Sequence, residues 1–121
     1  MNLVEEVLCS RTHECVFERD GFYYIGITDY IINFLDEIVL IELPDVGYEF
    51  AKGDLFATIQ GVNLSLDLRM PISGTVVEIN EEIVDNYDKL KEKSWLIKVE
   101  SNTAANEVMD LYDYDDYLDL I

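Results

Sequence analysis

Gly53-Asp54-Leu55-Phe56-Ala57-Thr58-Ile59-Gln60-Gly61-Val62-Asn63-Leu64-Ser65-Leu66-Asp67-Leu68-Arg69-Met70-Pro71-Ile72-Ser73-Gly74 is the stretch that decides the fold of this chain. Residues 55–59 have the length and apolar content of a short strand, entered from the turn Lys52-Gly53-Asp54. Residues 60–65 make a hairpin tip and residues 66–68 lead back from it. Pro71 and Ser73-Gly74 then turn the chain into a further strand over 75–79. Proline cannot donate to a sheet ladder and glycine frees the backbone, so both punctuate short strands.

The flanking sequence continues in the same style. Residues 15–27 read as two strands around an Arg19-Asp20-Gly21 turn, which supplies the positive φ that a tight hairpin needs. Thr28 offers an N-cap to a short helix over 29–35, with Tyr30, Ile31, Phe34 and Leu35 on one face. A strand over 37–43 closes at the turn cluster Pro44-Asp45-Val46-Gly47. A polar helical stretch follows over about 80–93, and residues 95–100 alternate as a last strand. Val108, Leu111, Tyr114, Leu118 and Ile121 recur at spacings of three and four, which predicts a C-terminal helix over 103–121 capped by Ser101, Asn102 or Thr103. Tyr114 is expected to pack on the sheet, with Tyr112 and Tyr117 open between core and partner contact. Many short strands with little helix point to a mostly β sandwich or barrel.

At 121 residues the chain is expected to form a single domain, 1–121, with 1–14 as an N-terminal extension. Half of it is hydrophobic, enough to build a core without metals or disulfides. No apolar run has the length of a membrane span and no secretory leader pattern opens the chain, so a soluble cytoplasmic protein is expected. The net charge of −18 repels nucleic acid and anionic membranes and favours partners with basic docking surfaces. Nothing after Lys98 is basic, which leaves the tail strongly acidic. Cys9 and Cys15 fit neither a disulfide framework nor a zinc knuckle and read as buried or idle thiols. His13, the only histidine, lies near both, but no other catalytic signature surrounds the three. No metal site is expected.

In order, Thr12-His13-Glu14-Cys15-Val16, Tyr24-Ile25-Gly26-Ile27-Thr28-Asp29-Tyr30, Asp36-Glu37-Ile38-Val39, Leu43-Pro44-Asp45-Val46-Gly47, Gly53-Asp54, Pro71-Ile72-Ser73-Gly74-Thr75-Val76-Val77-Glu78-Ile79-Asn80 and Trp95-Leu96-Ile97-Lys98-Val99 resemble the glycine cleavage system H-protein family. Each motif alone is weak; their order and spacing make the likeness specific from about residue 11 to the C-terminus. The resemblance implies a lipoyl-type barrel-sandwich hybrid of two small antiparallel sheets, with short flanking helices and a C-terminal helix. In that family a lysine at the hairpin tip carries lipoic acid. Gly53-Asp54 upstream and Pro71-Ile72-Ser73-Gly74 downstream place that position, without a gap, at Asn63. Further departures are Cys15 for the family's tryptophan, Gln60 for its usual glutamate, Gly61 for a polar residue such as serine, and a shortened loop between Asn86 and Trp95 that lacks the Pro-Tyr-Gly element.

The substitution bears directly on chemistry. A lipoyl arm is held by an amide made from a lysine ε-amine, a nucleophile once deprotonated. The Asn63 nitrogen is delocalised into its carbonyl and offers hydrogen bonds only. Asparagine also tolerates the left-handed backbone, so a plain turn role for Asn63 is the competing reading. Lys52 lies in the turn before the hairpin strand, Lys89, Lys91 and Lys93 are expected as solvated charges of the polar helical stretch, and Lys98 points outward on the last strand, so none stands at the tip. The resemblance therefore implies a non-enzymatic member with no lipoate on Asn63. It would use the hairpin residues Gln60, Gly61, Val62, Leu64 and Ser65 to dock on enzymes of lipoate or glycine and one-carbon metabolism. The alternative is a working carrier subunit of glycine decarboxylation that shuttles aminomethyl groups. A third reading is a small-molecule binder using the cleft that receives a loaded arm.

Overall fold

Asp20 and Gly21 both have positive φ, 55° and 81°, the pairing that a two-residue hairpin with right-handed strand twist requires. They join strand β2 (Glu14–Arg19) to β3 (Phe22–Ile27) in continuous register from Glu14↔Ile27 to Arg19↔Phe22. Thr28 follows as the expected cap, its hydroxyl accepting from Ile31 N at 3.4 Å at the start of helix α1 (Asp29–Leu35). The computed structural model describes residues 7–91 and 95–121.

The remaining strands are β1 (Leu8–Cys9), β4 (Ile38–Glu42), β5 (Glu49–Phe50), β6 (Leu55–Gly61), β7 (Ser65–Arg69), β8 (Gly74–Ile79), β9 (Trp95–Glu100) and β10 (Tyr112–Asp113). Among the described residues they form two antiparallel sheets, one in the order β10-β1-β2-β3-β9-β8-β5 and one in the order β4-β6-β7. The main core lies between them and includes Val16, Ile25 and Ile27 from the larger sheet and Ile41, Ile59 and Leu68 from the smaller. Alternation along β2 explains how one strand serves two environments. Val16 enters this core, whereas Cys15 and Phe17 belong to a second cluster with Val7, Cys9 and Tyr117.

Several local expectations give way to tertiary contacts. Residues 8 and 9 are not an extension: β1 pairs with β2 on one side and with β10 on the other, while residues 1–6 lie outside the described part. The C-terminal helix over 103–121 is also corrected. It is replaced by helix α3 (Ala104–Glu107), a 3-10 turn (Val108–Asp110), β10 and helix α4 (Tyr114–Leu120). Pairing of Leu8↔Asp113 and Cys9↔Tyr112 draws the middle of this segment into extended backbone, which no local periodicity encodes. Tyr117, rather than Tyr114, becomes the fully buried tyrosine, while Leu118 and Ile121 stay exposed. Asp113 caps α4 by accepting from Asp116 N at 2.8 Å.

The buried face of α1 is Ile31, Ile32 and Leu35, one step round from the predicted stripe. Tyr30 and Phe34 face outward and stack edge to face at 5.0 Å. Of the helical stretch expected over 80–93, the described part is two pieces, helix α2 (Glu81–Asp85) and a 3-10 turn (Tyr87–Lys91), parted by Asn86 in extended conformation, while residues 92 and 93 lie outside the described residues. Ile83 and Leu90 anchor the two pieces in the core.

Candidate functional site

The β6–β7 hairpin is the projecting feature that the sequence singles out. Its register runs from Leu55↔Arg69 to Gln60↔Ser65, and Gly61 N donates to Leu64 O at 2.8 Å, leaving Val62 and Asn63 as the apex. Asn63 is exposed at this apex. Neither Val62 nor Asn63 has positive φ, so the backbone makes no use of asparagine's left-handed tolerance, and the turn-geometry explanation of this residue is not supported. Asn63 Nδ2 lies 3.5 Å from Asp36 Oδ2, a long and exposed contact.

What fixes the apex is its seat on the end of α1. A Cβ at Gly61 would collide with the Leu35 carbonyl oxygen and lie 3.2 Å from both the Cα and the carbonyl carbon of Leu35. Glycine is therefore required by close backbone approach rather than by φ. Val62 N donates to Glu37 O at 3.0 Å, a second tie between apex and helix end. Asp36, between them, has φ 57° and ψ −109°. A left-handed non-glycine residue at the helix terminus is a costly conformation, held here by the contacts on either side of it. Sequence reading overlooked Asp36 and Glu37 as parts of the tip. The Asp36-Glu37-Ile38-Val39 motif was the available signal.

The hairpin residues expected to meet a partner are brought together as a surface. Gln60, Val62 and Ser65 are exposed, Gly61 and Leu64 are half-buried, and Val39 of the neighbouring strand stands 57% exposed beside them. Asp36, Glu37 and Asp67 add exposed carboxylates.

A lipoyl group needs an amine at the apex, and the donor set present does not fit: Asn63 presents a carboxamide. Elsewhere, Lys52 Nζ donates to Glu107 O at 2.5 Å and also pairs with Asp110. Lys98 lies 4.6 Å from the Phe22 ring centroid and 3.5 Å from Glu78 Oε2. Lys89 is half-buried, while Lys93 and the side chain of Lys91 lie outside the described part.

A second feature lies on the far side of β7. Glu14 is only 1% exposed, yet its carboxylate is well supplied with donors. Ser10 Oγ donates to Oε1 at 2.6 Å, Thr12 Oγ1 donates to the same oxygen, and Arg69 N donates to Oε2 at 2.8 Å. The carboxylate thus stitches the β1–β2 turn to β7, beside a cavity of about 360 Å³ rimmed by Lys52, Arg69 and Asp110. Its position on the inward side of β2 follows from the alternation that buries Val16.

A cluster around His13 completes the picture. His13 has φ 79°, lies 5.4 Å from the Tyr30 ring centroid with the rings tilted by 35°, and places Nδ1 2.6 Å from the Tyr117 hydroxyl. That hydroxyl also meets Thr28 Oγ1 at 2.7 Å. Burial pulls the His13 pKa below its ordinary value, against an opposing pull from Glu14. Neither Cys9 nor Cys15 touches the His13 ring by hydrogen bonding; Cys15 Sγ approaches only the His13 carbonyl, at 4.0 Å. A cysteine–histidine nucleophile is therefore not assembled.

Comparison with known proteins gives these observations a frame. The family model described as glycine cleavage H-protein matches residues 8–121. A glycine cleavage system H protein of Clostridium botulinum (strain Loch Maree / Type A3) is 46% identical over 108 residues, covering 87% of this chain and 83% of the relative. One from Carboxydothermus hydrogenoformans is 40% identical over 116 residues, covering 93% and 88%. The crystal structure of a glycine cleavage system H protein from Mycobacterium marinum superposes with a TM-score of 0.83 over 93% of this chain and 94% of that one. At 24% identity this last likeness speaks for the lipoyl-type barrel-sandwich fold alone. With the matched segment spanning both sheets and the hairpin between them, the chain belongs to the glycine cleavage H-protein family.

Proposed function

We propose that this chain is a non-catalytic partner of glycine cleavage enzymes that docks through the β6–β7 apex and holds no covalent arm at residue 63. One observation carries the reading: the apex is exposed and firmly seated on α1, yet its outermost side chain is a carboxamide. An amide nitrogen cannot be acylated as an amine can. Gln60, Val62, Leu64 and Ser65 then supply contact area without cargo, and the surrounding carboxylates select a partner surface carrying cations. Lipoate-handling enzymes fall within the same proposal, because the resemblance puts the family's lipoyl position at this hairpin tip.

A second reading has its own support. The relatives matched over most of this chain are called glycine cleavage system H proteins, and those names favour a carrier subunit that shuttles aminomethyl groups. Such a carrier would need an acylated amine other than one at residue 63.

Intact mass of the chain purified from its own host separates the two, followed by a glycine-dependent CO2 exchange assay with the other glycine cleavage enzymes. Unmodified mass, no exchange and measurable binding to one of those enzymes is the expected set. A lipoyl or octanoyl adduct, or exchange that requires this chain, would favour the carrier. The Asn63→Lys variant sharpens the test: a lipoate ligase is expected to label it and not the parent chain. If a well-folded Asn63→Lys variant stays unlabelled, Gly61 or its neighbours at the apex have also lost the features a ligase recognises.

A further inference from the structure

The strands β1 and β2 bring the two cysteines of the chain face to face. Cys9 and Cys15 are direct partners in the antiparallel register. Ser10 N donates to Glu14 O at 2.8 Å, so the adjacent 10/14 pair is of the hydrogen-bonded type and the 9/15 pair is of the other, closer type. At such a pair Cα atoms stand ~4.5 Å apart, inside the range that a disulfide spans. The two Sγ atoms are 2.8 Å apart, and both thiols are free and buried. Bond formation therefore needs a closure of under ~1 Å, with no change of register.

Packing alone does not require this arrangement. The second cluster is otherwise made of Val7, Phe17 and Tyr117, with Tyr24, Tyr112 and Tyr114 at its margin. Any small apolar residue could share that space with them, and a valine or alanine would carry no polar atom into it. Two thiols directly across a strand pair add a chemistry that the packing does not use.

We propose that Cys9 and Cys15 are a redox modification site, a dithiol that a small-molecule disulfide converts to an intrachain disulfide. In the first step one cysteine thiolate attacks a sulfur of the external disulfide, forming a mixed disulfide and expelling one small thiolate. In the second, the other cysteine thiolate attacks the protein sulfur of that mixed disulfide and expels the remaining small thiolate. Two electrons pass from the protein dithiol to the external disulfide, and the two cysteine protons end on the two released thiols. A small dithiol in excess reverses both steps.

Access sets the rate. Cys9 and Cys15 are 0% and 1% exposed, and the Tyr117 ring of α4 packs in the same cluster. Burial, followed by the hydrogen bond with Cys9, pushes the Cys15 thiol well above its ordinary pKa, so the closed fold holds it neutral. Reaction then passes through the state in which α4 and β10 lift from β1, a local opening of a terminal element. Once formed, the bridge fixes β1, and with it the strand that anchors the C-terminal segment.

The test uses the full chain as purified and does not depend on the function proposed above, because it reads sulfur chemistry alone. The protein is equilibrated with reduced and oxidised glutathione, quenched in acid, unfolded, alkylated and weighed. With reduced glutathione in roughly tenfold excess over oxidised, more than half of the chain is expected to lose about two mass units and take up no alkyl group. The oxidised form is expected to melt roughly 5–10 °C higher, a difference that dithiothreitol removes. Cys9→Ala is expected to show neither change, and Cys15→Ala serves equally if the first variant does not fold. Two alkylated cysteines at every glutathione ratio would overturn the proposal, as would a stable glutathione adduct or a disulfide between chains as the end product.

Discussion

Gly61→Ala tests whether the apex is held by contact with α1. The added methyl would sit against the Leu35 carbonyl group, 3.2 Å from its carbon and from Leu35 Cα and closer still to its oxygen. These are backbone atoms at the end of a helix whose Ile31, Ile32 and Leu35 are buried, so they cannot swing aside as a side chain would. The hairpin must back away by about 1 Å to restore ordinary contact, a shift of the kind that costs ~1–3 kcal/mol in packed sites. The same shift stretches the bond from Val62 N to Glu37 O, 3.0 Å in the parent, beyond hydrogen-bond reach and adds ~1 kcal/mol. Restricting the unfolded chain returns ~0.4–1 kcal/mol. The net loss is then ~1–3.6 kcal/mol, or a fall in Tm of roughly 4–14 °C for a chain of this size. Urea and thermal unfolding measure it, with Gln60→Ala on the exposed neighbouring position as the comparison. A loss below ~0.5 kcal/mol, together with unchanged amide exchange at Val62, would refute the seating argument.

Other consequences can be checked by the same methods. Tyr117→Phe removes the hydroxyl shared by His13 and Thr28 and is expected to cost ~1–3 kcal/mol, with earlier exchange of the amides of α4 and β10; equal exchange in parent and variant would contradict it. Acid should weaken the clamp between the Lys52 turn and the C-terminal segment. Burial pushes the Glu107 carboxyl up, but hydrogen bonds from Ser73 and Thr103 with the Lys52 charge bring it below its ordinary pKa, and the Lys52 hydrogen bond lowers Asp110. Groups with lowered folded pKa contribute stability above their unfolded values, 4.5 and 3.8, and lose it as pH falls through the folded ones. Lys52→Met should flatten stability against pH in that window, and an unchanged profile would count against the clamp. His13 has the opposite charge type: its lowered folded pKa leaves its stabilising share present above the unfolded value of 6.5 and lost as pH falls below it. His13→Gln should flatten the profile there.

The features read correctly from sequence are those whose cause is local. Asp20-Gly21 dictates its own turn, and Thr28 caps α1 because its hydroxyl reaches the third residue along. The hairpin was legible because turn residues at Gly53 and at Pro71–Gly74 bracket its two short strands. What failed is what depends on distant partners. Tyr112 and Asp113 look helical by spacing, but β1 offers them a ladder, and that pairing exists only once residues some hundred positions apart have met. The face of α1 was misjudged for a related reason: Tyr30 finds its place against His13 and Phe34, so the apolar stripe does not coincide with the buried one. No helix among the described residues is long and apolar enough to cross a membrane.

At the site itself the sequence supplied the residue and the structure supplied its meaning. Asparagine at the apex can be read as a turn residue on a left-handed backbone, as a partner contact, or simply as the loss of a reactive amine. The first makes a physical demand, positive φ, and residue 63 does not meet it. The backbone at this position would therefore not resist lysine, and the long contact of Asn63 to Asp36 is exposed and weak. Asn63→Lys should consequently change stability by less than ~0.5 kcal/mol, as ordinary surface substitutions do. If lysine proves strongly destabilising, asparagine is kept for the fold and its chemistry says nothing about function. If lysine is tolerated, the carboxamide is a matter of what the apex carries, and the seat built by Gly61, Leu35 and Glu37 holds in place a contact surface rather than a tether.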